Sequence, residues 1–276
     1  WMGLIVLLPG CAILQAPNKM VNAVMPGPSS GDADLVNLHL RIQRFSDEFA
    51  LQTTEALDEY ARRVNTNSAR IETLQLKLVS VMASTSIANG PNPRANLLDL
   101  VALVTLTRMS VEDYWMNTAN GPAFQPWLDA SRNLETNVWA IANTTLKPAE
   151  AVELKDAIAQ WRARNPNART GFFARPQEFS TMMKASPEKK SEIGSVFSVV
   201  GLDPMAGLDP AVREVTQTRL FAERAMFSLQ RMPFLLRWQT ELLAERGVAM
   251  PEVNKELADS GRLMDTTQRL GRQGER

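Results

Sequence analysis

Residues Leu97 to Met109 constrain the fold of this chain more than any other stretch. They read Leu-Leu-Asp-Leu-Val-Ala-Leu-Val-Thr-Leu-Thr-Arg-Met, apolar on nearly every side of a helix and interrupted only by Asp99 and Arg108 among charged residues. A helix apolar all round lies either at the centre of a bundle or in lipid. The run is too short and too charged for a bilayer span, which needs about twenty apolar residues. The expectation is therefore a buried central helix over about Ala95 to Asn117, with a buried strand as the alternative because of its β-branched residues. Asp99 and Arg108 lie on opposite sides of such a helix and cannot pair with each other. Each calls for a partner elsewhere in the bundle, in a structural ion pair.

The flanking sequence supplies that bundle. Leu38, Ile42, Phe45, Phe49, Ala56, Tyr60 and Val64 step mostly by three or four, so an amphipathic helix is expected from Asp34 to Val64 with Asp32 or Asp34 as its cap. A second helix capped by Ser68 places Ile71, Leu74, Leu78, Val81 and Met82 on one face. Trp127, Leu134, Val138 and Ile141 mark a fourth. A fifth opens with Pro148, Glu150 and Glu153 and closes with Arg162 and Arg164, a charge order that complements the helix dipole. The fold class is all-α, with residues 34–164 forming a helical bundle domain joined by short connections.

Beyond it, residues 165–208 carry many Gly and Pro and are expected to be an irregular linker and boundary, with a short helix starting at Ser186-Pro187-Glu188. Residues 209–276 are a long helical region. Asp209-Pro210 opens a helix that runs to Gly247 and is expected to kink at Pro233, and a C-terminal helical extension starts at Pro251 with Val253, Leu257, Met264 and Leu270 on one face.

The sequence holds 30 Lys and Arg against 30 Asp and Glu, so no net positive field gathers nucleic acid. With one Cys (Cys11) and one His (His39), neither an intramolecular disulfide nor a His/Cys metal cluster can form. His39 reads as a partly exposed helix residue without a role. Asp47-Glu48, Asp58-Glu59 and Glu112-Asp113 are adjacent on helices and diverge by about 100°, so they do not converge on a substrate. No phosphate loop, nucleophile elbow or zinc motif occurs. The expectation is a chain that is not an enzyme, with no cofactor and no metal.

The N-terminus points to a location. Met2 to Leu8 is a short uncharged apolar run that ends at Leu8-Pro9-Gly10-Cys11. Leu three positions ahead of a cysteine, with a small residue just before it, resembles the lipobox of bacterial lipoproteins. Pro9 departs from the usual small residue, and no Lys or Arg precedes the run. The resemblance implies that residues 1–10 are the remnant of a signal peptide, that Cys11 is the lipidation site and first mature residue, and that a lipid anchor makes the membrane a partner. Ala12 after the cysteine implies the outer membrane rather than the inner, on the periplasmic side of the envelope. The other reading of the run is an apolar element in the core, with Cys11 a buried thiol. Residues 11–33, with Pro17, Pro26, Gly27, Pro28 and Gly31, read as a flexible tether.

One surface candidate stands out: Phe172 and Phe173 on the irregular stretch, with Arg169 and Arg175 beside them, a combination that docks on a partner protein or membrane interface. Tyr114, Trp115, Phe124, Trp127 and Trp139 read as core and loop anchors. The arginines of the long helix, Arg213 to Arg237, read as a solvated, salt-bridged surface. These readings converge on a tethered, non-catalytic helical scaffold or protein-interaction module. A helical sensory ectodomain is the alternative, in which the long helices transmit a signal toward a membrane span.

Overall fold

The computed structural model describes residues 30–169, 178–185, 195–206 and 208–250. Among them are seven α-helices and no strand: α1 (Ser30–Val64), α2 (Asn67–Ala88), α3 (Pro93–Asp113), α4 (Gln125–Thr145), α5 (Pro148–Arg164), α6 (Glu178–Ala185) and α7 (Pro210–Ala249). Short 3₁₀ turns at Trp115–Asn117, Gly121–Phe124 and Val196–Val199 complete the described elements. No helix among the described residues is long and apolar enough to cross a membrane.

α3 is the central helix that its sequence requires. Leu97 through Leu106 are buried without a break, and these residues form the middle of the main core with Ile42, Phe45 and Phe49 of α1 and Leu134 and Val138 of α4. Its start is set by Asn92, in extended conformation, whose side-chain oxygen accepts from the N–H groups of Arg94 and Ala95, with Pro93 in the first turn. The same amide reaches across the fold, since Asn92 Nδ2 donates to the carbonyls of Val199 at 2.8 Å and Leu202 at 3.3 Å. The helix stops at Asp113, and the chain continues as a 3₁₀ turn where the periodicity suggested more α-helix.

Two boundaries differ from expectation for local reasons. α1 begins at Ser30, so Asp32 and Asp34 lie within the helix and neither caps it. α2 begins one residue ahead of Ser68, and Thr66 is its cap, accepting from Ala69 N–H at 3.2 Å. Between these helices Asn65 has φ 49°, a left-handed conformation that Asn tolerates at a helix end. Gly121 opens the second 3₁₀ turn at a point where a Cβ would strike the Met116 carbonyl, so the tight approach of the two segments depends on a glycine there.

A second, aromatic core lies at one end of the bundle. Tyr60 stacks on Phe124 with centroids 3.8 Å apart, and Trp115 and Trp127 pack around Phe124 at 5.2 and 5.9 Å. Trp139 instead borders the main core, its indole N–H donating to Thr105 Oγ1 at 3.1 Å. The aromatic set is thus built into the cores and loops.

The stretch expected to be an irregular linker takes part in the main core. α6 falls ahead of the expected start at Ser186, which lies outside the described residues together with Pro187 and Glu188. Phe179 of α6 and Phe197 of the last 3₁₀ turn are both buried and meet edge to face at 6.2 Å, against α3 and α5. Periodicity could not foresee this, because a helix of eight residues holds too few apolar positions to register.

Candidate interaction surface

α7 carries apolar residues on two opposite faces. One face lies on α2 in antiparallel sense. Arg70 pairs with Glu245 at 3.3 Å, Lys77 Nζ sits 4.9 Å from the Trp238 ring centroid, Asn89 donates to Ser228 at 2.6 Å and Arg224 to the Pro91 carbonyl at 3.1 Å. Thr216, Leu220 and Phe227 are the buried residues of this face.

The opposite face meets nothing among the described residues. Val215, Ala222, Leu229, Leu236, Leu243 and Met250 recur every seven residues along it. Leu229 is 60 % exposed and Leu243 70 %, with Phe221 at 72 % beside them. No charged residue interrupts the line between Ala222 and Leu243, while Arg219 and Arg246 stand near its two ends. At 1.5 Å per residue the seam is about 52 Å long. A seven-residue recurrence this narrow is the pattern a helix presents to another helix. Pro233 lies inside α7, next to the seam at its middle.

Sequence reasoning missed this surface. The apolar residues on the α2 side of the long helix and those on the seam are about half a turn apart, so together they show no single apolar face. The heptad from Val215 to Met250 was the available signal.

The residues singled out from sequence are placed unevenly. Cys11, Phe172, Phe173 and Arg175 lie outside the described residues. Arg169 is described, and its own main chain is held: the Trp115 indole donates to its carbonyl at 2.9 Å, as does the Ser110 hydroxyl. Its guanidinium lies 4.7 Å from the Tyr114 ring centroid and donates to the Tyr114 hydroxyl at 3.2 Å. Arg169 therefore rests against an exposed edge of the aromatic core.

His39 is not partly exposed, as expected, but fully buried. The helix surface it occupies is covered from a distance in sequence, with Arg224 of α7 close enough to act on it electrostatically. The Gln43 amide N–H donates to His39 Nε2 at 3.0 Å, and Nδ1 has no partner among the described residues. Burial, with the Arg224 charge second, lowers its pKa to about 4 and keeps the ring neutral. Among the described residues its one hydrogen-bond partner is the Gln43 amide.

Asp99 differs from the expected ion pair. Its Oδ1 accepts the backbone N–H of Ser180 at 2.8 Å, in the first turn of α6, and burial pushes its carboxyl up to about 7 against that bond and one from the Ser180 hydroxyl. Arg108 does form ion pairs, with Glu135 at 2.8 Å and Glu112 at 2.5 Å, and Arg132 reaches the second carboxylate at 2.7 Å. The guanidiniums of Arg132 and Arg108 hold Glu112 below the usual carboxylate range.

A groove of about 670 Å³ between α4 and α5 is lined by Glu135, Trp139, Asn143, Leu146, Val152 and Lys155. Its carboxylate, Glu135, is already committed to Arg108. No group of His, Cys, Asp and Glu that could hold a metal ion occurs among the described residues. Comparison of the chain with protein-family models, with curated proteins and with solved structures finds no match.

Proposed function

We propose that this protein is a non-catalytic envelope lipoprotein, a helical scaffold moored to a membrane through Cys11 that docks a partner helix on the seam of α7. The seam carries the docking half of this reading. Exposed apolar area on this scale, spread along one face of a helix that is packed on its other side, marks an interaction surface. The charges beside it are of both signs, with Glu223 and Glu241 among the arginines, which suits a protein partner better than an anionic lipid surface.

The mooring half rests on the lipobox-like Leu8-Pro9-Gly10-Cys11 and the Pro- and Gly-rich stretch after it. Acyl chains contribute about 0.8 kcal/mol per buried methylene, so several chains on one cysteine anchor a domain stably. A periplasmic-side, outer-membrane location follows from Ala12 by the same resemblance. Mass spectrometry of the N-terminal peptide from membranes, comparing wild type with Cys11→Ser, tests it. An acylated peptide beginning at Cys11 is expected in wild type only, and an unacylated one retaining Trp1 to Gly10 rejects the mooring. Photocrosslinking from position 236 in intact cells is expected to trap protein, and adducts with lipid alone reject the docking half.

A further inference from the structure

We infer that the occupant of the α7 seam is the α7 seam of a second copy, so that the protein is a homodimer joined by a two-helix coiled coil. This inference rests on the docking reading above and names its partner. The period is the first argument: apolar residues recur every seven positions from Val215 to Met250, and Ala225 and Met232 fill the intervening positions of the middle heptads, so that stretch suits an opposing helix with the same repeat. α7 itself is such a helix, 40 residues long and present at equal concentration.

The area is the second. Phe221, Met226, Leu229, Met232, Leu236 and Leu243 are each about half exposed or more, and with Val215 and Met250 they leave on the order of 900 Å² uncovered per chain. A stable interface takes roughly 800 Å² from each partner. The seam and the apolar residues that flank it, Phe221, Met226 and Met232, together supply an area of that size.

Stability of α7 is the third. From Ser228 to its end the helix has no buried residue, and it is held there by polar contacts: Asn89 with Ser228, Arg231 with Asp47 of α1, Lys77 against Trp238 and the Arg70–Glu245 pair. Helices in water owe most of their stability to a packed apolar face. A second copy supplies that face along the half of α7 that the bundle grips least.

The test uses the full chain carrying Cys11→Ser, to remove lipid as a source of association. Light scattering coupled to gel filtration is expected to give about twice the chain mass of 30.7 kDa. Leu229→Asp and Leu236→Asp each place a charge on the seam and are expected to halve the mass while leaving the far-ultraviolet circular dichroism unchanged. Val152→Asp, exposed on α5, is expected to leave the dimer intact. Both seam positions are solvent-exposed, so neither variant disturbs the monomer's core.

A chain that is monomeric at micromolar concentrations, or a dimer that survives both seam substitutions, overturns the inference. Vesicles of phosphatidylethanolamine and phosphatidylglycerol then separate the causes. A monomer that binds them through Leu236 shows that the seam is a lipid surface and overturns the docking reading too. A monomer that ignores them overturns the second copy alone and leaves the seam to a different protein.

Discussion

Asp99 Oδ1 accepts the main-chain N–H of Ser180 at 2.8 Å, joining the innermost helix of the bundle to a short helix 81 residues later in the chain. The carboxyl serves as a cap supplied from elsewhere in the fold, satisfying one of the free N–H groups that every helix start exposes. Replacing Asp99 with Ala leaves that buried N–H without a partner, and about 1–3 kcal/mol of stability is expected to be lost in urea unfolding. Asp99→Asn retains an acceptor and is expected to cost less.

The same carboxyl gives a pH dependence of defined sign. Its pKa is raised from 3.8 to about 7, so the folded state holds a proton that the unfolded chain releases between those values. Stability from this group is greatest below pH 3.8 and declines as pH rises toward about 7. Wild type is expected to lose stability relative to Asp99→Asn as pH is raised through that window. Thermal midpoints of both proteins at several pH values check it, and parallel curves would show that the carboxyl does not titrate in that range.

His39 acts with the opposite sign. Its pKa is lowered from 6.5 to about 4, so the unfolded chain takes up the proton first, and stability present above pH 6.5 is lost as pH falls toward 4. The magnitude is on the order of 2–3 kcal/mol across the window. His39→Leu removes the titration and the unpaired Nδ1 together. Urea midpoints at neutral pH and near pH 4.5 are expected to move further apart in wild type than in the variant.

Phe179→Ala tests whether residues beyond the fifth helix belong to the main core. The side chain is fully buried against Phe197, and a loss of about 3–5 kcal/mol is expected by denaturant unfolding. A loss below about 0.5 kcal/mol would return the segment to the status of a loop.

Lys77 is the buried cation on the α2 side of α7, paired with Asp58 at 2.8 Å and set against the Trp238 ring. Lys77→Ala removes both contacts and a packed aliphatic stem, and is expected to loosen α7 by about 1–2 kcal/mol. Faster proteolysis within α7, with the other helices protected as before, is the readout.

The helical class and the five bundle helices were legible because each depends on local period and composition. Leu97 to Leu106 could only be interior. What escaped was everything decided by distant partners. His39 looks like a surface residue until α7 comes to lie near it. Phe179 has no period to announce it, and Asp99 finds a main-chain N–H where charge alone suggested an ion pair. For the candidate surface the heptad was written in the sequence, but two apolar faces on one helix blur into each other until the bundle claims one of them. Cys11 and the Phe172-Phe173 pair fall outside the described residues, so their part in the reading rests on sequence.

Asn92 uses its oxygen locally and its nitrogen on residues 107 and 110 positions downstream. During synthesis the first five helices are made before Val199 and Leu202, so this amide, the Asp99 carboxyl and the site that Phe179 fills all wait. The nascent bundle is consequently an unfinished body whose central helix is sealed only on arrival of residues 178–202. A truncation at Arg164 would thus freeze the chain in the state from which the complete protein escapes.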